Sequence, residues 1–480
     1  MIALPIKIFP GANGPPFAYA SPAGDVRAGR RSQSPATAIF PPSLSVEPLP
    51  DMPHRVYLRL LLFALVLLPL ATRGQAQPLQ IEGRVVDAST GASLPSTNIS
   101  IGGTSRGTAA NENGEFVLAV DSLPVRLTVS HIGYERVTQE VTEAAANAVE
   151  VQMEPTTIAL GEAVATGRTA ASYVQNALER VEHLSEARTR YIKGVKGFYR
   201  QKTGFYQETQ EGQVTRADSD TVYTEYMEVF YNTFTSPSGI QGVSIDQARY
   251  AQSEGPNYRL KWEDFSVMTR EWLQVPPSLP LEETYMVQPF HPDVETLFSF
   301  EIVGRLTQEG RDIVKIAYEP RSDLDTPAFA GMLFIDADTY DLYRYEGVVQ
   351  SSGSFFWNVG GDMENTTLRV AAVFRRLDDL SATVLDQVRF DLSYEHAVAE
   401  YRRRYNTSST FFVYDHNPTD TFGTSDIEND YAAIDEAEYD PAFWRNNPVL
   451  ARTPTDESVI QSFEQTGAFG RLVEEPGNSE

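Results

Sequence analysis

A chain of 480 residues is long enough for two or three domains with separate cores, and 41% hydrophobic with 11% aromatic residues excludes a disordered polypeptide. Acidic side chains outnumber basic ones 65 to 39, and the net charge of −26 excludes nucleic-acid binding, which needs a concentrated basic face. Cysteine is absent, which excludes disulfides, thiol chemistry, cysteine-ligated metal and a lipid anchor on an N-terminal cysteine.

Residues 1–51 are rich in Pro, Ala, Gly and Ser and read as an over-extended start or a disordered stretch. Met52 to Arg59 is short and basic, Leu60 to Ala71 is almost purely apolar, and Gly74-Gln75-Ala76 supplies small residues. That order marks residues 52–76 as a secretory signal peptide with Met52 as the initiator. The apolar run is shorter than the roughly 20 residues a membrane span needs. The expected product is exported to the periplasm or the outer membrane, peripheral rather than transmembrane after cleavage. Only six lysines occur, so arginine carries most of the positive charge, and an acid-rich, lysine-poor surface suits solubility at high salt.

From Leu79 the apolar period becomes two. Leu79, Ile81, Gly83 and Val85 alternate with polar residues, and Ile99 and Ile101 form a second such run. Phe116, Leu118 and Val120, then Val125, Leu127 and Val129, then Val149, Val151 and Met153 complete the set. Alternation of this kind marks strands with one buried face. Thr90-Gly91, Gly102-Gly103 and Asn113-Gly114 are turn signals, and Asn-Gly predicts a hairpin in which both residues take positive φ. Residues 79–155 are therefore expected to form a compact antiparallel β-sandwich.

Several spaced strings carry a resemblance: Ile81-Glu82-Gly83-Arg84-Val85-Val86-Asp87, Gly91, Leu94-Pro95, Asn98-Ile99, Gly103 to Thr108, Asn113-Gly114-Glu115-Phe116 and Ser130-His131-Ile132-Gly133-Tyr134. Together they resemble the carboxypeptidase-regulatory-like domain of Gram-negative, Bacteroidota-type envelope proteins. The resemblance implies a transthyretin-like seven-stranded sandwich. Gly83, Asp87, Gly107, Asn113, Gly114, Phe116, Gly133 and Tyr134 are its structural motif residues. Of these, Gly107, Gly114 and Gly133 are expected to supply backbone freedom at turns. Phe116 and Tyr134 are expected to be buried, the latter as a corner residue whose hydroxyl caps a loop.

Leu160 to Gly167 resembles the segment that follows this domain in TonB-dependent receptors, but about 310 residues remain, too few for a 22-stranded barrel with its loops. Residues 156–194 read as a linker with a helix over 169–190. There Ala170, Tyr173, Val174, Ala177, Leu178, Val181 and Leu184 recur at helical spacing. Residues 195–420 are again strand-rich. Phe298–Gly304 with Asp312–Tyr318, and Gly331–Asp336 with Asp341–Glu346, read as hairpins, and runs at Val370–Arg376, Gln387–Tyr394 and Thr410–Tyr414 extend them. Consecutive hairpins predict a curved antiparallel meander, similar in pattern to the half-barrel of lipoprotein-carrier proteins. The acidic segment 421–480 ends in a short helix near Asp456–Glu464. Phe198, Tyr199, Arg200, Phe443 and Trp444 are the candidates for contacting a partner or for pinning the tail. The fold class is thus mainly β: sandwich, linker helix, curved β-rich domain.

Catalytic signals are sparse. His183-Leu184-Ser185-Glu186 has the His-x-x-Glu spacing of zinc carboxypeptidases, but it follows the sandwich and has no peptidase domain around it. His291 and the Asp415-His416 pair read as loop histidines, and Asp336-Ala337-Asp338-Thr339 as a turn without the later ligands of a calcium loop. No nucleophile elbow, P-loop or dinucleotide fingerprint occurs. No catalytic, cofactor or metal residue is therefore assigned. The expectation is a non-enzymatic envelope protein acting as a binding or assembly module for an envelope protein, a glycan or an apolar ligand. The alternatives are a carbohydrate-binding protein and a hydrolase with an unrecognised site in residues 195–420.

Overall fold

A computed structural model describes residues 79–142, 149–156, 168–186, 193–211, 214–217, 222–252, 286–352, 363–397, 401–418, 423, 430–435, 437 and 439–469. The described residues belong to one compact unit. The signal reading at 52–76, the stretch before it and Leu160–Gly167 lie outside the described residues. No helix among the described residues is long and apolar enough to cross a membrane.

Seven short strands build the sandwich: β1 Leu79–Asp87, β2 Asn98–Ile101, β3 Gly107–Ala109, β4 Glu115–Val120, β5 Val125–Ser130, β6 Val137–Val141 and β7 Val149–Met153. They form two sheets, β4-β1-β7 and β3-β2-β5-β6. The period-two residues Ile81, Val85, Ile99, Phe116, Leu127, Val129 and Val151 meet between the sheets as one buried core. Two details differ from expectation. The β1–β7 pair is parallel, because the chain has crossed to the other sheet and back before β7 returns to the edge of β1. The Asn113-Gly114 turn joins β3 to β4 in different sheets, so it is an inter-sheet corner rather than a hairpin. Asn111 organises it by accepting from the Asn113 and Glu115 amides through Oδ1 (2.9 Å each), and only Gly114 takes a positive φ, +76°.

Behind the sandwich stands α1, Ala170–Glu186. It is followed by β8 Lys193–Glu211, β9 Val214–Ala217, β10 Val222–Ser236, β11 Gly239–Gln252, α2 Val294–Leu297, β12 Phe298–Gln308 and β13 Arg311–Pro320. The series continues with β14 Ala330–Asp336, β15 Leu342–Ser351, β16 Met363–Leu377, β17 Ala382–Ala397, β18 Tyr401–Asp415, α3 Asp430–Asp435, α4 Pro441–Asn446 and α5 Pro454–Thr466. All eleven strands form one antiparallel sheet of order β11-β10-β8-β18-β17-β16-β15-β14-β13-β12, with β9 paired to β8. The two predicted hairpins are β12–β13 and β14–β15. The pairing of β18 with β8 joins the first and last strands of the domain into a continuous sheet.

The sheet is open but strongly curled. β11 and β17 are four positions apart, about 19 Å in a flat sheet, yet their Cα atoms come within 8 Å. Register shifts in six of the strand pairs, β-bulges among them, accompany the bend. The concave side carries the main core, including Tyr199, Tyr231, Val314, Leu333, Leu368 and Phe390. Helix α1 is part of that core: Tyr173, Val174, Ala177 and Leu178 pack into it. The segment read as a linker therefore fills the curve of the sheet, because its apolar face has nowhere else to be buried. Phe290, Val294 and Leu297 of the following loop and α2 add to the filling.

Candidate functional site

Strand register arranges the outer, convex face into two cross-strand rows. One runs Met332, Glu346, Ala371, Arg389, Thr410, Arg200, Glu228, Arg249 across eight strands. Its neighbour runs Ala330, Val348, Arg369, Asp391, Ser408, Lys202, Tyr226, Ala251. Three structures lie along these rows: a tail clamp, a junction with the sandwich and an open groove.

The clamp is built on Glu228, which lies between two guanidiniums. Arg200 Nε donates at 2.8 Å to one carboxylate oxygen, and Arg249 Nε donates at 2.8 Å to the other. Tyr226 adds its hydroxyl at 2.9 Å. Burial alone would raise the Glu228 pKa, but the two arginines outweigh it and hold the carboxyl well below the usual range. Burial raises the Tyr226 pKa well above its ordinary value, so its hydroxyl stays a donor. The remaining Arg200 donors reach the tail backbone, at Leu450 O (3.1 Å) and Ala451 O (3.0 Å). The Arg249 guanidinium lies 4.7 Å from the Trp444 ring and 4.9 Å from the Phe469 ring.

The tail is shaped to receive these groups. Asp440 caps α4 by accepting from the Ala442 amide at 2.8 Å. Thr453 and Asp456 make a reciprocal capping box at the start of α5. Asp456 also accepts from Lys202 at 2.9 Å and lies 3.4 Å from Arg200. Trp444 of α4 and Leu450, which lies between α4 and α5, enter an apolar cluster with Phe198, Phe230 and Phe412, and Phe443 of α4 packs edge-on to Phe230 at 5.1 Å.

The sandwich meets the same place. Thr108 Oγ1 donates to Val449 O at 2.6 Å and Asn111 Nδ2 to Ala451 O at 3.4 Å, so the sandwich and, through Arg200, the sheet grip one tail segment together. Lys202 and Arg389 each lie 3.4 Å from Glu112. A cavity of about 30 Å³ remains where the three parts meet, room for a single water among polar groups. Farther along, Ser105 donates to Asp415 at 2.6 Å, and Asn98 donates to Asp386 at 3.1 Å. Asp386 also receives Arg375 (3.1 Å), with His416 Nε2 at 2.8 Å. His416 is thus buried against a carboxylate at the domain contact rather than free in a loop. Burial lowers its pKa despite Asp386, and Arg375 and His416 hold Asp386 down to about 2 against the opposite pull of burial.

Past Arg389 the convex face opens into a groove of about 310 Å³ over β14–β17. Ala330, Met332, Val348 and Ala371 give it an apolar floor, and Glu346, Arg369, Arg389 and Asp391 give it charged edges.

The motif residues of the sandwich serve its fold. Gly83 lies in β1 against the Phe116 ring, and Phe116 is buried. Asp87 Oδ2 accepts from the Tyr134 hydroxyl at 2.8 Å, while its Oδ1 accepts from the Ser89 and Thr90 amides at 2.8 Å each. Tyr134 is half-buried rather than enclosed, because its ring stands edge-on to His131 at 5.2 Å near the surface. Gly133 takes a φ of +84°. Gly107 is no turn residue: it opens β3, where a Cβ would stand 2.6 Å from Ile99 O. Asn113 supports the corner already described.

The five partner candidates separate by strand parity. Phe198, Arg200, Phe443 and Trp444 meet on the convex face, and what they contact is the chain's own tail and sheet. Tyr199 points the other way, into the concave core. Sequence reasoning missed Glu228, Arg249, Lys202 and Asp456. Glu228 carried one usable signal, since Tyr226-x-Glu228-x-Phe230 puts an acid in an otherwise aromatic face of a strand. His183 is exposed on α1. Among the described residues, no group of three His, Asp or Glu side chains is placed to hold a metal ion.

Residues 81–165 match the family model of the CarboxypepD_reg-like domain. A search of curated proteins found no match. Among solved structures, a DUF1329 family protein from Desulfovibrio piger is 10% identical, with 49% of this chain and 90% of that one covered and a TM-score of 0.16. A protein of unknown function from Bacteroides fragilis is also 10% identical, with coverages of 70% and 97% and a TM-score of 0.13. The attachment invasion locus protein of Yersinia pestis is 4% identical, with coverages of 46% and 98% and a TM-score of 0.13. Scores at this level do not establish a common fold.

Proposed function

We propose that this protein is an exported, non-enzymatic component of the cell envelope that acts as a binding or assembly module. The CarboxypepD_reg-like sandwich serves as its bracing part and the outer face of the sheet as its contact surface. The observation that carries this reading is the shared grip on the tail. Thr108 and Asn111 of the sandwich and Arg200 of the sheet bind adjacent carbonyls of residues 449–451. A domain attached only through a linker leaves its neighbour free to turn, whereas this three-way contact sets the face of β14–β17 in one orientation beside the sandwich. The basic, apolar and small-residue order of residues 52–76 supports export. The net charge of −26 supports a solvated, non-nucleic-acid role.

The test is fractionation of the source cells with an antibody to the folded protein, followed by cross-linking from the exposed Arg369 position. Recovery in the envelope fraction, release by alkaline carbonate without detergent, and a discrete cross-linked species are the expected results. Recovery from the cytosol alone would overturn the reading.

A further inference from the structure

We propose that the groove over β14–β17 binds a single-chain anionic amphiphile, a hydrocarbon tail ending in one carboxylate. The proposal deepens the binding-module reading and rests on it for taking this face as the contact surface. The volume of about 310 Å³ lies at the lower end of the range of about 300–1,000 Å³ common for small-molecule sites. Ala330, Met332, Val348 and Ala371 form its floor and are half-exposed, so a ligand tail would cover apolar surface that the protein leaves in water.

The floor selects hydrocarbon over peptide. β14 to β17 are interior strands, each paired on both sides, as in the runs Ala330–Val348–Arg369–Asp391 and Met332–Glu346–Ala371–Arg389. Their main-chain groups are committed to the sheet, so the groove offers a peptide no backbone ladder of the kind a sheet edge supplies. A hydrocarbon needs none.

The edges select the sign of the head group. Arg344 holds Glu346 at 2.5 Å, and Arg389 holds Asp391 with bonds of 2.8 and 3.0 Å. Arg369 sits directly across from Asp391 in the β16–β17 register, yet that carboxylate is already turned to Arg389. Arg369 is exposed and makes no ion pair or side-chain hydrogen bond with any described residue. In a chain of net charge −26, an unpaired guanidinium beside an apolar floor complements a carboxylate, which it can bind through two parallel N–H donors. A cationic head would be repelled at the same point, and a neutral one would gain only the floor.

The experiment is a fluorescence titration of the full chain with dansylaminoundecanoic acid. Competition follows with dodecanoate, dodecyltrimethylammonium and dodecyl maltoside, all below their micelle concentrations. Saturable binding displaced by dodecanoate, and not by the other two, is expected. Arg369→Gln should weaken the probe at least about tenfold, and Ala371→Trp, which fills the floor, should remove binding. Both positions are solvent-facing, and the competition series on the unaltered chain stands independently of either variant. Absence of saturable binding, equal displacement by all three competitors, or undiminished binding in Arg369→Gln would overturn the proposal. If dodecanoate fails to bind while the protein is still recovered in the envelope with a discrete cross-linked species, only this inference falls. Cytosolic recovery with intact dodecanoate binding would instead remove the envelope reading alone.

Discussion

Asp87 receives the Ser89 and Tyr134 hydroxyls and the Thr90 amide, and these bonds hold its carboxyl well below the usual range. Three residues before Tyr134, His131 Nδ1 lies 3.1 Å from Thr97 Oγ1. Burial, helped by the nearby Arg344 charge, lowers the His131 pKa from 6.5 to about 3. Between those two values the unfolded chain binds a proton there that the folded chain refuses. The stabilising contribution is therefore complete above pH 6.5 and is lost as pH falls toward 3. The slope from this group approaches about 1.4 kcal/mol per pH unit. His416, also lowered, adds in the same direction. Urea unfolding followed from pH 6.5 to 3.5 should show a shallower loss of stability in His131→Gln than in the unaltered chain. Equal slopes would mean that His131 titrates normally. At this scale the Ser130–Tyr134 motif pointed to Tyr134, whose hydroxyl meets Asp87, but its ring is half-buried where enclosure was expected. The histidines were not legible, because Thr97 and Asp386 reach them only through folding.

Among the elements, the tail clamp shows how a strand face rich in charge can be a packing surface. Glu228 is 1% exposed and Arg249 2%, so their charges persist only because each is paired. Arg200→Met removes one guanidinium from Glu228 and two donors from the Leu450 and Ala451 carbonyls. Breaking one side of such a network costs about 3–5 kcal/mol, measurable as a drop in the urea midpoint. Replacing Arg200, Glu228 and Arg249 together by Met, Leu and Met should recover most of that loss. A change below about 1 kcal/mol in the single variant would show the network to be solvent-screened. Strand and helix identities were readable here from period: β12 to β15, α1 and α5 fall where alternation and helical spacing place them. Their burial was less so. Helix α1 had the apolar stripe of a surface helix, and only the curl of the sheet turned it into core.

For the whole molecule, the sandwich and the curled sheet keep separate cores and join through a mostly polar contact. Two apolar contacts cross it: Ile132, at the tip of the sandwich motif, packs on Leu306, Ile313 and Phe334 of the sheet, and Ala109 of β3 joins the cluster of Phe198, Phe230 and Phe412. Ile132→Asp should leave both cores folded by circular dichroism and lower the stability measured by urea by about 1–3 kcal/mol, with the radius of gyration in small-angle scattering unchanged because the tail grip remains. A larger radius would show that the orientation depends on Ile132 and not on the tail. The sequence by itself determined the β class, the sandwich family, the two predicted hairpins and the apolar stripe of α1. These depend on neighbours a few residues apart and on the local period of apolar side chains. Only the tertiary structure decided that β18 lies beside β8, that Arg200 meets Glu228 and the tail, and that Arg369 stands on an open floor with no ion pair to any described residue. Those facts depend on register between distant strands, where a shift of one residue would exchange the core face for the solvent face.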